Sequence, residues 1–213
     1  MQYDRLQYMR LVTLITQLFF PSSYTSEILN CIPSAPDPEH AHIFSLYDYH
    51  KPKGKKLVYA IKQKRDNYLD HIIAEKMKIH LLSELSEQYQ YSYFLNPLVI
   101  PVPLHLQRLH ERGFNQSAGI AKELARKLPG RYMQNILFKA KKTQKQALLK
   151  NKSERIKNIK GCFRVKNKYI EYIYQKDIII VDDLVTTGAT LLECTKILKK
   201  YGARNIIAIT VAH

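Results

Sequence analysis

Thirteen consecutive residues, Ile178-Ile179-Ile180-Val181-Asp182-Asp183-Leu184-Val185-Thr186-Thr187-Gly188-Ala189-Thr190, place three kinds of chemistry in one order. Four β-branched residues predict a fully buried strand, and two carboxylates sit where that strand would emerge. The turn after them opens a predicted helix. It supplies free backbone N–H groups, three threonine hydroxyls, and Gly188, whose missing Cβ lets a ligand approach the backbone. Such a turn cradles phosphate. Asp182 and Asp183, beside the cradle rather than in it, suit sugar hydroxyls and the outer sphere of Mg²⁺. An ordinary strand, acidic turn and capped helix would account for one Asp or one Thr, but not for the whole order.

A second segment, Pro101-Val102-Pro103-Leu104-His105 with Arg108, His110 and Arg112-Gly113-Phe114-Asn115-Gln116, gathers cations after a predicted strand. Proline donates no ladder hydrogen bond, so the chain must leave the sheet at Pro-Val-Pro. Alone, the loop reads as a solvated basic turn capped by Asn115 or Ser117. Beside a phosphate cradle it is a place for a pyrophosphate. A third segment, from Lys139 to Lys168, carries a net charge of +11. Its cations include Lys139, Lys141, Lys142, Lys145, Lys150 and Lys152. Most charge runs are solvated faces, but this one lacks a helical stripe before residue 150, as a loop closing over a polyanion would. Lys51, Lys53, Lys55, Lys56, Lys62, Lys64 and Arg65 form a second cluster. Tyr89, Tyr91 and Tyr93, and again Tyr169, Tyr172 and Tyr174, alternate with polar residues; they could stack on bases, or line one face of a strand.

The elements that must position these groups alternate. Helical spacing runs through Leu6 to Phe19 and stops at Pro21, and residues 21 to 42 read as an irregular, proline-rich connector. A short run Ile43 to Tyr49 follows, then helical periodicity over Leu57 to Lys64 and Tyr68 to Leu85. Next come a strand at Leu98 to Val102, a helix at Ser117 to Leu128 and a strand near Met133 to Phe138. The chain closes with strand Ile178 to Val181, helix Ala189 to Tyr201 and strand Asn205 to Val211. Strands alternating with helices predict an α/β fold around a mostly parallel sheet, whose ligands bind at the carboxyl ends of the strands. The predicted division is an appendage, 1–42, and a main domain, 43–213.

The chain's 213 residues hold one larger domain, enough to bury a core without staples. Its net charge of +16 favours polyanionic partners such as nucleic acid, phosphorylated metabolites or an anionic surface. Residues 1 to 40 carry −2 of that total, so the excess belongs to the main domain. Cys31, Cys162 and Cys194 make neither a disulfide framework nor a CxxC metal site, and a reducing cytoplasm is the expected compartment. The stretch Leu11 to Phe20 is half the length of a membrane span, and Asp4 with no A-x-A site after it argues against a secretory signal.

Residues 178–190 resemble the phosphoribosyl-pyrophosphate (PRPP) motif of type I phosphoribosyltransferases. Pro101 to His105, Arg108 and Arg112 to Gln116 look like the pyrophosphate-side loop and helix of the ComF competence family, worded there close to PVPLH…R…RGFNQ. Thr143-x-x-Gln146-x-x-Leu149, Arg155-x-x-Asn158 and Gly161-Cys162-Phe163 resemble that family's mobile loop. The resemblance covers about residues 43 to 213 and implies the type I phosphoribosyltransferase fold. It implies that Asp182, Asp183, Thr186, Thr187, Gly188, Ala189, Thr190, His105 and Arg108 bind PRPP with Mg²⁺. Asp182, Asp183 and Arg108 are then the catalytic candidates, and Thr143, Gln146, Arg155 and Asn158 the mobile loop. Natural transformation is implied too, with single-stranded DNA on the basic surface and DNA-uptake proteins as partners, or else transfer of ribose 5-phosphate to an acceptor. One departure stands out. In that family a four-cysteine zinc ribbon commonly follows the N-terminal Phe-Pro, whereas here Tyr24 and Glu27 fall where its first cysteine pair would be. Cys31, His40 and His42 leave a tetrahedral site one ligand short, so no zinc is expected.

Overall fold

The computed structural model describes residues 24–36, 42–87, 94, 96–144 and 151–213. The predicted N-terminal helix, Tyr89, Tyr91, Tyr93, His40, Lys145, Gln146, Leu149 and Lys150 lie outside them. Inside the predicted connector, α1 (Ser26–Asn30) is capped by Thr25, whose Oγ1 accepts from Ile28 N. Leu29 and Ile32 join the main core, so this segment packs as part of the domain.

Strands β1 (Ile43–Tyr47), β2 (Leu98–Pro101), β3 (Arg131–Tyr132), β6 (Ile178–Leu184) and β7 (Ile206–Ala212) form one sheet in the order β1-β7-β6-β2-β3. Every pairing in it is parallel. β6 and β7 are apolar apart from Asp182, Asp183 and Thr210 because both faces of the sheet are covered. On one face lie α2 (Pro52–Gln63), α3 (Asn67–Glu87) and α5 (Gln116–Lys127), packed on Val99, Ile179, Val181, Ile207 and Ile209. On the other, α8 (Ala189–Lys200) and a two-stranded antiparallel flap, β4 (Leu137–Lys139) with β5 (Phe163–Val165), pack on Ile100, Ile178 and Ile180. Period-two alternation in the strands therefore feeds two separate cores.

Two predicted elements differ. The single strand expected over 133–138 is split by a turn at Gln134-Asn135, so β3 ends the main sheet and β4 begins the flap. Tyr169 closes a 3₁₀ turn (Asn167–Tyr169) and Tyr172 lies in α7 (Ile170–Ile173), so this tyrosine alternation is not a strand. No helix among the described residues is long and apolar enough to cross a membrane, and no group of three or more His, Cys, Asp or Glu among them converges as a metal site.

Candidate functional site

All strands of the sheet point the same way, so the chain after β2 and after β6 emerges at one edge. β6 delivers Asp182 and Asp183 there, 9% and 5% exposed. Ser117 Oγ, in the first turn of α5, donates to Asp182 Oδ1 at 2.9 Å, and Asp183 N donates to the same oxygen at 2.9 Å. Burial, reinforced by the neighbouring Asp183 charge, holds the Asp182 carboxyl well above the usual carboxylate range. Asp183 faces a cation instead: Lys62 Nζ of α2 lies 3.0 Å from its Oδ2. That approach is off the direction of a hydrogen bond, so the buried oxygen has a charge partner without a directional donor.

Thr186, Thr187 and Gly188 form the turn between β6 and α8. Gly188 takes a left-handed conformation at φ 68°, a region open to glycine, and starts α8 with no side-chain cap. The N–H groups that open α8 at Ala189 and Thr190 therefore have no capping side chain competing for them. Thr186 is exposed, and Thr187 and Thr190 half-buried.

α4 (Leu106–Arg112) follows the Pro-Val-Pro exit and ends at Gly113, φ 80°. His105 caps this helix, its Nδ1 accepting from Gln107 N at 3.3 Å, so its ring has a structural task beside any ligand role. Arg108 Nη2 is buried without an acceptor among the described residues. Asn115 caps α5 and donates through Nδ2 to Val102 O at 2.9 Å, fixing the loop to the end of β2.

Lys139, which the sequence groups with the surface lysines, is half-buried at the end of β4. Burial and the Arg108 charge lower its pKa, while Cys162, Cys194 and Asp182 act in the opposite direction. Lys141 and Lys142 are exposed. Among the mobile-loop residues, Asn158 clasps the flap: it donates from Nδ2 to Gln144 O and accepts at Oδ1 from Gln144 N, both at 3.1 Å. Thr143 is half-buried next to this clasp, and Arg155 lies on α6 (Lys152–Ile159) with Lys152 at its start. Glu193 on α8 accepts from Gly161 N at 2.7 Å and anchors the other root of the flap.

The structure thus brings Asp182, Asp183 and the 186–190 turn together and adds Ser117, Lys62 and Lys139. Sequence reading missed the first as a site residue and placed the other two in charge clusters. No local spacing signals them, because each arrives from an element distant in the chain.

A phosphoribosyl transferase domain model matches residues 113–213, from the end of α4 to the last residue. Competence protein F of Haemophilus influenzae is 37% identical over 108 residues, 51% of this chain and 46% of that protein. The chain is a ComF-family protein of phosphoribosyltransferase type. Competence protein ComFC of Bacillus subtilis is 33% identical over 144 residues, 67% of this ComF-family chain and 54% of that protein. DNA utilization protein YhgH of Escherichia coli O6:H1 is 28% identical over 169 residues, 79% and 70% of the two chains. The match spans about half the length of the Haemophilus and Bacillus proteins. Arg108 and His105 lie before the stretch that the domain model covers.

Proposed function

We propose that this chain binds PRPP together with Mg²⁺ at the carboxyl end of β6 and serves in handling DNA taken up by the cell. The observation that carries the ligand reading is a pair of buried polar atoms of opposite sign. Among the described residues Arg108 Nη2 has no acceptor, and Asp183 Oδ2 has the Lys62 ion pair but no directional donor. A buried donor left unpaired, as Arg108 Nη2 is among the described residues, costs ~1–3 kcal/mol, so a ligand that brings it an acceptor is favoured. PRPP has the complementary groups: a pyrophosphate for Arg108 and Lys139, ribose hydroxyls for Asp182 and Asp183, and a 5′-phosphate for the turn from Thr186 to Thr190. Carboxylate oxygens also fit a hard cation reached through the ligand. Mg²⁺ bound with PRPP supplies charge neutralisation at the pyrophosphate. The relatives' names, Competence protein F and DNA utilization protein, together with the +16 charge, support the DNA part of the reading.

A second reading, transfer of ribose 5-phosphate to an acceptor, is supported by the domain match, which includes the whole 186–190 turn. Thermal melts with PRPP and Mg²⁺ test the binding. At a hundredfold excess over Kd the expected stabilisation is ~2.7 kcal/mol. Arg108→Gln should shrink it, and Asp182→Asn combined with Asp183→Asn should abolish it. An undiminished shift in the double variant places the ligand elsewhere. Turnover of labelled PRPP with nucleobase or amine acceptors separates the two readings.

A further inference from the structure

A cavity of about 270 Å³ lies between α3 and α5, lined among others by Asp70, Phe114, Gly119, Lys122 and Tyr132, with Lys64 and Arg65 beside it. It shares no residue with the 182–190 segment. Asp70 is 8% exposed, and no hydrogen-bond donor reaches its carboxyl among the described residues. Its carboxyl lies so close over α5 that a Cβ on Gly119 would sit 2.0 Å from Oδ2. The glycine makes room for that carboxyl, which lines the cavity together with the cations Lys64, Arg65 and Lys122.

We propose that this cavity binds a guanine nucleotide, with the base edge on Asp70 and the phosphate on Lys64, Arg65 and Lys122. The volume is just under the roughly 300–1,000 Å³ of sites for drug-sized molecules, which suits a single planar heterocycle. Three exposed cations, Lys64, Arg65 and Lys122, line the cavity with its single lining carboxylate, Asp70, and offer a place for an anion. The ligand therefore needs both a donor edge and an anion. Above about pH 7, where it is ionised, the Asp70 carboxylate offers two acceptors in one plane and is best met by two parallel donors. Among the common bases only guanine carries two adjacent donors, N1–H and the 2-amino group. Adenine and cytosine place a ring acceptor beside their amino group, and thymine flanks its one N–H with two carbonyls. The half-buried rings of Phe114 and Tyr132 provide apolar walls for the base. Free guanine nucleotide and a guanine within single-stranded DNA share this chemistry; the second source rests on the DNA reading above.

Calorimetric titration of the full chain at about pH 8, where the Asp70 carboxyl is ionised, with GMP, IMP and AMP tests the base edge, and short oligothymidines with and without one central dG test the DNA source. GMP should bind, IMP, which lacks the 2-amino group, should bind at least about tenfold more weakly, and AMP weaker still. Asp70→Asn should lose the preference for GMP over IMP while keeping the PRPP-induced melting shift. Lys122→Ala should weaken GMP and IMP alike. If the dG oligomer is selected but GMP is not, the natural ligand is the nucleic acid; if GMP alone is selected, it is the nucleotide. Equal binding of GMP and AMP, no binding of either GMP or the dG oligomer, or unchanged GMP affinity in a folded Asp70→Asn protein overturns the proposal. PRPP binding is read separately, so its loss would not be mistaken for this result.

Discussion

Just before β6, Asp177 is 5% exposed and its carboxylate is fully answered: Arg204 donates from Nε at 2.9 Å and from Nη2, and Asn205 Nδ2 donates at 2.9 Å. At the carboxyl end of the same strand, Asp183 is buried to the same degree, yet its Oδ2 has only an off-axis lysine. Asp182 there depends on one serine and one backbone N–H and stays above the usual carboxylate range. Burial is therefore no guide to function along this strand, and satisfaction is. A carboxylate whose partners are supplied by the fold holds the fold together; one left short of donors is held for something that brings them.

Asp70 extends the comparison to α3, and it carries the largest expected effect on stability. Burial, then the charges of Asp66 and Glu123, push its carboxyl from 3.8 up to about 7, while Arg65 pulls the other way; Lys64, Lys122 and Tyr132 also line its cavity. Between those two values the folded protein holds a proton that the unfolded chain has released. Stability from this group is thus full below about pH 4 and is lost as the pH rises through 7. Three units at 1.36 kcal/mol each give a cost of at most ~4 kcal/mol at pH 8. Asp70→Asn should raise Tm most at pH 8 and hardly at all near pH 4. Equal Tm values for the two proteins at pH 8 would show that Asp70 is satisfied after all.

Asp177→Asn sharpens the contrast from the satisfied end. The amide keeps the shape but replaces an acceptor oxygen with a donor against the Arg204 guanidinium. Tm should fall by a few degrees, and the PRPP-induced shift should stay intact. A lost PRPP shift would mean that the two ends of β6 are coupled, and the division between them would fail.

How much of this was legible in the sequence follows from how local each feature is. The order of residues 178–190 is contiguous, and the structure has it as strand, turn and helix, the strand running three residues past the expected Val181 to Leu184. The parallel sheet follows from alternating periodicities. Ser117 and Lys62 were not legible as site residues, because they meet Asp182 and Asp183 only through the packing of α5 and α2 onto β6. The break at Gln134-Asn135 was hidden by apolar residues on both sides. Asp70 looks in sequence like one more acid on a solvated helix face, and only Gly119 of another helix, pressed against it, reveals its burial.

The smallest effect concerns the lysines that sequence alone treats as one run. Lys141 and Lys142 are exposed, whereas Lys139 is half-buried and feels the charges of Arg108 and Asp182. If single-stranded DNA lies on the exposed surface, its affinity falls with salt at about −0.7 in log–log slope per neutralised phosphate. Replacing Lys141 and Lys142 together with alanine should then flatten the slope by ~1.4 and leave the PRPP shift nearly unchanged. Lys139→Met should do the reverse, shrinking the PRPP shift while the salt slope keeps its value. Filter binding or anisotropy across a salt series reads the first quantity and thermal melts the second. A flattened slope in Lys139→Met, with the PRPP shift intact, would return Lys139 to the DNA surface and leave Arg108 as the cation that answers the pyrophosphate.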